Sequence, residues 1–380
     1  MLIEALYVDA EVASHPEVQT FRRRLGMTGT TVSDPAEMFA AVRGSADPEA
    51  RGKRLLYLTR NRGAFVKRCP GTRHYTCCGY RILHVASYCT MDCAYCILQS
   101  YFHPPVLQYF VNREDLMGEL DGCLADGVLH RFGTGEFTDS LIWDAWTDLS
   151  SDLVRRFAGQ ATSILELKTK TARIDHLEGL PHGGRTILSW SLNTERVIRN
   201  EERGTAPLER RLRAAAEAVA AGYPVAFHFD PLVIYAGCEA DYRKVVDRMF
   251  DAVGPESIAW VSLGAFRFMP DLKATVERRF PHSSIVYGEF VPGLDGKMRY
   301  FKPLRMQLFR ALCAAIRARA PRLCTYLCME DDEVWRHALG FTPAERGGLS
   351  RMLDEAAMRR CGVRGRIEGQ GEGPCAGECA

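Results

Sequence analysis

Nowhere in the 380 residues do eighteen apolar residues stand together, so no membrane-spanning helix is expected. The opening MLIEALYVDAEVASH carries acids and no long apolar run, which argues against a secretory leader and for a cytoplasmic protein with no membrane partner. A strong excess of either charge is also missing. With 49 Lys and Arg against 47 Asp and Glu, the net charge of +2 neither demands nor excludes a polyanionic partner, because a local basic groove can coexist with an acidic remainder. No internal repeat is visible. At 47% hydrophobic the chain is not disordered, and it is long enough to bury one large core or two modest ones.

Cysteine, by contrast, is plentiful. Fourteen Cys without a leader argue for a reducing compartment and for metal or redox work more than for a disulfide framework. Three of them, Cys89, Cys93 and Cys96, form C-x3-C-x2-C inside ASYCTMDCAYCILQ. Three thiolates so close can hold three irons of a [4Fe-4S] cube and leave the fourth open, because no fourth Cys sits at a matching distance. Zinc would want four ligands, usually in C-x2-C pairs. The pattern resembles that of the radical S-adenosylmethionine (SAM) superfamily. The resemblance implies that the methionyl amine and carboxylate of SAM chelate the open iron, and that Tyr95, just before the last Cys, lies near the adenine.

From about residue 79, short apolar runs alternate with longer amphipathic ones. RILHVA, GVLHRF, SILELK, TILSWS, PVAFHF and SIAWVSL read as buried strands. The clearest helix is Leu208 to Ala221, closed by Gly222. Parallel βα units follow, either as an open doubly wound sheet or, as the cluster motif implies, as a partial (β/α)6 TIM-type barrel. In both, ligands gather beyond the carboxyl ends of the strands, where Cys89 to Cys96 follow the first strand. The expected organisation is an N-terminal region 1–78 packed on the barrel, the barrel at 79–315, a helical extension 316–363 and a Gly-rich mobile tail 364–380.

Several strand ends carry candidate ligands. The second runs into Gly133, Thr134, Gly135 and Glu136, which fits the glycine-rich stretch that contacts the SAM amine in radical SAM barrels; such a stretch also serves as a plain turn. Lys170 after the third strand can pair with the SAM carboxylate. Ser191 and Asn193 after the fourth offer small polar groups to SAM, or cap the next helix. His228 and Asp230 end the fifth, as substrate-orienting groups or as a core imidazole bonded to backbone. The segment Tyr287 to Arg305 interleaves Lys297, Arg299, Lys302 and Arg305 with Tyr300 and Phe301, as a phosphate- or base-bearing substrate requires; a hairpin with a solvated charged face looks the same. Arg210, Arg211 and Arg213 read as helix surface. Cys324 and Cys328, on an expected helix, could join Cys361, Cys375 and Cys379 around an auxiliary cluster, but the spacing fits no known pattern and a single cluster is the default.

The run SWSLNTERVIRNEERGTAPLERRLRAAAEAVAAGYPVAFHFDPLVIY is similar to spore photoproduct lyase and its relatives, radical SAM enzymes that repair a methylene-bridged thymine dimer in DNA. LYVDAEVASHPEVQ, CAYCILQS, LKTKTARID and LCMEDDEVW extend the likeness from about residue 5 to 340. It implies reductive cleavage of SAM to a 5'-deoxyadenosyl radical that takes hydrogen from a nucleic-acid substrate, with Tyr95 and Glu136 closest to the chemistry. It also implies an electron donor such as flavodoxin or ferredoxin; a monomer is expected. Two residues depart from the family. Glu136 stands where the lyases carry a hydrogen-donating Cys, and Ile97 where they carry a Tyr. Cys77, Cys78, Cys123 and Cys238 are conceivable substitute thiols. The departures also suit a radical SAM enzyme that modifies a small molecule or peptide, and a non-catalytic iron-sulfur carrier would show no SAM binding.

Anaerobic reconstitution is expected to give about four irons per chain, and Cys93→Ala to abolish the cluster, because two thiolates cannot hold a cube. Iron and sulfide analysis reads the outcome; eight irons would establish an auxiliary cluster.

Overall fold

The computed structural model describes residues 3–367 apart from 70 and 73. Cys375 and Cys379 lie outside the described residues, as does most of the expected tail. Residues 364–367 are docked: the Arg364 amide donates to Ala161 O at 2.7 Å, and the Arg366 amide to Gly127 O at 2.9 Å.

The strand-and-crossover pattern resolves into a curled half-barrel of seven parallel strands. These are β1 (Arg81–Leu83), β2 (Arg131–Gly133), β3 (Ile164–Thr169), β4 (Thr186–Ser191), β5 (Val225–Leu232), β6 (Ile258–Ala265) and β7 (Cys324–Leu327). They lie side by side in chain order, with Val66–Arg68 antiparallel on the outer edge of β1. This is the expected partial barrel with one strand more. Cys324 opens β7 and Cys328 follows it, which corrects the expectation of a helix: Thr325, Tyr326 and Leu327 pair with Val261, Ser262 and Leu263 of β6. The helix Leu208–Ala220 forms where expected and ends before Gly222, whose φ of +89° only glycine adopts freely.

The RILHVA run divides between two sheets. Arg81–Leu83 is β1, whereas Ala86–Ser87 pairs antiparallel with Leu107–Phe110. Those two segments complete an N-terminal sheet with Leu55–Thr59, Ala5–Asp9 and Thr30–Val32. The thiol-bearing loop therefore leaves from the N-terminal sheet and crosses the mouth of the barrel, tied to both bodies.

Along the barrel strands, polar residues recur at every second position. Glu166 and Lys168 on β3, Ser189 and Ser191 on β4, and His228 and Asp230 on β5 share the inner face. The register aligns Lys168 with Ser189, and Ser191 with His228, Ser262 and Tyr326. The intervening Leu165, Leu167, Leu188, Trp190, Phe227 and Phe229 are fully buried in the apolar core. A parallel sheet buried on both faces is ordinarily apolar throughout. The polar inner face therefore marks a site and not a packed core.

At its centre Glu166 accepts from Ser189 Oγ at 2.5 Å and pairs with His228 Nε2 at 2.7 Å. Burial opposes its ionisation, but His228 and Ser189 outweigh burial and hold the carboxyl at about 2, below its usual 4.5. A depressed carboxyl contributes stability that is present above about pH 4.5 and lost as the pH falls through about 2. Glu166→Gln should lower stability near neutrality and flatten its fall between pH 4.5 and 2, read by denaturant unfolding across that range. An unchanged acid limb would show that the pair does not couple to folding.

Candidate active site

The loop Cys89–Cys96 is held from three directions. From the N-terminal body, Lys53 Nζ donates to Cys89 O at 3.0 Å and Met91 O at 2.6 Å. From the barrel, Glu202–Arg203 pairs antiparallel with Asp92–Cys93, and the Ala94 amide donates to Glu201 O at 2.8 Å. From the end of helix Leu272–Arg279, Arg279 reaches Asp92 at 3.0 Å and also Gln99, whose amide donates to Cys93, Ala94 and Cys96 carbonyls at 3.2–3.3 Å. With its backbone so occupied, the loop presents its thiols.

Cys89 and Cys93 are buried and Cys96 is half-buried. Burial pushes the Cys89 thiol up to about 12, with Asp139 adding and Lys53 opposing; burial and Glu202 push Cys93 up as well. Metal binding must displace these protons. Among the described residues no three Cys, His, Asp or Glu side chains converge as the ligands of one ion do. A cube needs no such convergence, since each thiolate takes its own iron. The donor set and its preordered loop fit a [4Fe-4S] cluster.

Beside the thiols, the Tyr95 hydroxyl donates to buried Glu202, which also binds Arg211. Arg211 is fully buried and donates to Ser191 O at 2.8 Å and Ala206 O at 2.7 Å, which corrects its reading as surface. It follows Leu208 by three positions and precedes Leu212, so its spacing already put it on the apolar face of the helix. Burial disfavours the Glu202 carboxylate, yet Arg211 and Lys170 hold its pKa below the ordinary value. Lys170 Nζ stands 5.8 Å from the Tyr95 ring centroid.

The glycine-rich stretch folds onto the end of β3. Asp139 accepts from the Lys170 amide at 2.8 Å and Thr169 Oγ1 at 2.8 Å, and Ser140 Oγ accepts from the Lys168 amide at 3.0 Å. Phe137 O accepts from the Tyr88 amide at 2.9 Å, joining this stretch to the thiol loop. Gly133 is required by close approach: a Cβ there would stand 1.7 Å from Tyr80 Oη and 2.5 Å from Glu166 O. That Tyr80 hydroxyl is buried without a hydrogen-bond partner among the described residues. Glu136 is half-buried, and its charge is felt by Lys168 and Tyr80.

Lys168, unnoticed in the sequence, is the cation central to the inner face. Burial works against its charge, and Glu136, Glu166, Asp230 and Cys328 together outweigh burial and raise its pKa. Asp230 pairs with Arg267 at 3.3 Å, and Arg267 Nη2 lies 3.5 Å from Cys328 Sγ. Gly264 leaves room for Asp230, whose Cγ would lie 2.7 Å from an added Cβ. Next to Arg267, the Phe266 ring stands 6.5 Å from that of Tyr95. The structure thus brings Tyr95, Glu136, Lys170, Ser191, His228 and Asp230 to one end of the barrel.

Asn193 and the Tyr287–Arg305 segment are different. Asn193 Oδ1 accepts from Tyr242 Oη at 2.7 Å and from the Thr194 amide, and its Nδ2 donates to Pro231 O at 2.9 Å, so the side chain is a buried brace. In the hairpin Phe290–Pro292 and Met298–Tyr300, Arg299 pairs with Asp295 at 2.7 Å and lies 4.1 Å from the Tyr75 ring centroid. Tyr300 is buried, with its hydroxyl accepting from the Ile234 amide at 3.2 Å. Arg305 is held by Glu330 at 2.9 and 3.0 Å, and Lys302 by Asp331 and Glu333, each at 2.8 Å. These pairs correct the expectation of cations offered to a phosphate: the charges are already answered within the protein.

Of the substitute thiols, Cys78 is half-buried beside Cys77, Cys123 lies on helix Arg113–Ala125 and Cys238 begins helix Cys238–Ala252. Cys78 shares the electrostatic surroundings of Tyr80 with Glu136, and Cys328 those of Lys168.

A half-barrel with three unpaired thiols on one loop across its carboxyl end, and polar groups lining the wall beneath, is the architecture of a radical SAM enzyme. The spore photoproduct lyase family model matches residues 76–290, and the chain belongs to that family, whose members use a [4Fe-4S] cluster and SAM. The chain is 29% identical over 210 residues to a spore photoproduct lyase of Bacillus subtilis, a match covering 54% of this chain and 61% of that protein. For the Clostridium acetobutylicum spore photoproduct lyase the identity is 23% over 254 residues, covering 66% and 71% respectively. The matched stretch thus spans about three fifths of the Bacillus relative. A solved spore photoproduct lyase mutant with dinucleoside spore photoproduct superposes with a TM-score of 0.76 at 20% identity, over 86% of this chain and 99% of that one. A mutant with bound AdoMet as well gives 0.74 over the same shares. At that identity the likeness establishes the fold.

Arg305→Met should cost about 3–5 kcal/mol of stability, because Glu330 is left as an uncompensated buried charge. Urea unfolding measures it; a loss below about 1 kcal/mol, as for an exposed pair, would show that Arg305 is not the partner that keeps Glu330 buried.

Proposed function

We propose that this chain is a radical SAM enzyme acting on nucleic acid in a reaction akin to lesion repair. The observation that carries the reading is the three-thiol loop set over a polar barrel wall within the family-matched region. Support for the substrate class comes from relatives named spore photoproduct lyase and from a similar structure that holds a dinucleoside spore photoproduct. When bound, the cluster and SAM supply a 5'-deoxyadenosyl radical that takes a hydrogen atom from the substrate.

The chain's own residues bind and orient. Cys89, Cys93 and Cys96 hold the cluster. Tyr95, fixed by Glu202, offers its ring to the adenine, and Lys170 beside it offers a cation to the methionyl carboxylate. Gly133 and Gly135 let the backbone approach, with Glu136 accepting from the methionyl amine and Ser191 lending its hydroxyl. His228, Asp230 and Lys168 line the floor and meet substrate. An electron donor of the flavodoxin or ferredoxin type delivers the reducing electron, and the enzyme works as a monomer.

With Glu136 and Ile97 in place of the family's Cys and Tyr, no hydrogen-donating thiol stands at the family position. Reduced, reconstituted protein given SAM and dinucleotide spore photoproduct should form 5'-deoxyadenosine, consume SAM stoichiometrically and convert the lesion slowly. Glu136→Gln should weaken SAM binding by roughly 1.5–3 kcal/mol, the worth of a charged hydrogen bond. Many turnovers with SAM regenerated would overturn the missing-donor reading and direct single Cys→Ala changes to Cys328, Cys78, Cys123 and Cys238. Absence of oligonucleotide binding even at low salt, where phosphate contacts are strongest, would move the substrate to a small molecule or peptide.

A further inference from the structure

We propose that Lys53 is a positioning residue that orders the thiol loop and makes the cluster easier to reduce. The proposal rests on the assignment of Cys89, Cys93 and Cys96 as cluster ligands. Lys53 follows the short helix Pro48–Gly52 of the N-terminal body and is fully buried. A lysine is almost never buried completely unless a negative partner compensates it.

Here the hydrogen bonds go to neutral acceptors, the carbonyls of Cys89 and Met91. The nearest carboxylate, Asp92, stands 3.8 Å away and is engaged by Arg279 at 3.0 and 3.1 Å. The ammonium also lies 4.3 Å from the ring centroid of Tyr88, the residue before Cys89. Tyr88 has φ of +72°, a left-handed conformation that an aromatic residue holds only where its surroundings impose it. Lys53 thus grips the turn from which Cys89 departs, and its charge is incompletely answered by the protein.

A thiolate-ligated cluster supplies the missing negative charge at that point. Each added electron makes the cluster more negative, so a fixed buried cation favours the reduced form, and net charge and hydrogen bonding around the cluster are what set its potential. The family-matched region begins at residue 76, so Lys53 lies outside it.

The test uses the full chain, reconstituted anaerobically, with iron content and the spectroscopic signature of the reduced cluster followed during mediator titration. Lys53→Met should keep the cluster but lower the ratio of reduced to oxidised cluster about tenfold at fixed potential, a negative shift of about 59 mV for one electron. Lys53→Arg, which retains the charge, should restore most of that ratio. If Lys53→Met loses its iron, Asp92→Asn decides: removing that carboxylate leaves the two cations less neutralised and should raise the reduced fraction. A four-iron Lys53→Met with unchanged reducibility would overturn the proposal, as would an Asp92→Asn whose potential does not rise. Wild-type protein unable to take up about four irons would instead sink the cluster assignment.

Discussion

Glu202 ties the site together. Its carboxylate is shared between the Tyr95 hydroxyl and the Arg211 guanidinium, while its backbone pairs with Cys93 across an antiparallel ladder. A buried carboxylate with no cation would be protonated or would unfold its surroundings. Arg211 prevents this, and its other donors reach Ser191 O and Ala206 O, at the end of β4 and on the approach to the next helix. One ion pair therefore connects the thiol loop, the aromatic beside it and the strand end that faces it. Loss of either partner would loosen all three together, because backbone and side chain of one residue serve both attachments.

The barrel wall follows a related constraint. Charges of both signs, buried or half-buried, are arranged so that each has a partner: Glu166 with His228, Asp230 with Arg267, and Lys168 among four anionic or acidic groups. Such a wall gains little stability over an apolar one of the same volume. What it provides is a set of fixed charges and hydrogen-bonding groups in a partly desolvated mouth, where electrostatic orientation of a bound molecule is strongest. The half-barrel leaves this wall accessible from the carboxyl end of its strands, beneath the thiol loop.

What could be read from sequence was what depends on short spacing. The three thiols, Tyr95 one position before the last, the glycine-rich strand end and six of the seven strands all announce themselves within a few residues. The seventh strand did not: CTYL is four residues long, begins with Cys and runs into the acids of MEDDE, so it resembles a helix start as much as a strand. Lys53 and Glu202 were invisible for another reason. Their roles arise only when segments 36 and 107 residues away fold against them. Arg299 and Arg305 misled because a cation beside an aromatic looks the same in sequence whether it meets a phosphate or, as here, Asp295 and Glu330. Lys168 was legible in principle, two positions after Glu166 on a strand that is otherwise apolar up to Thr169.

The departure from the family that the resemblance puts at position 136 bears on what such a mouth can do. A thiol at that point could return a hydrogen atom to a product radical; a carboxylate cannot, since its O–H bond is far stronger than S–H and its charge is part of the electrostatics of the wall. Glu136 sits within the field of Lys168, which already feels Glu166 and Asp230. A neutral thiol in its place would leave that lysine with two carboxylates, so the chain's choice adds negative charge where the family resemblance puts a redox group. On the same resemblance Ile97 is the matching departure on the thiol loop, an inert aliphatic side chain where the family carries an oxidisable ring. On the proposed function the two departures act in the same sense: the residues proposed to hold the cluster and SAM are kept, while the side chains that the resemblance credits with handing a hydrogen atom back are absent, so the fate of a product radical would be decided by other groups of the wall or by the substrate itself.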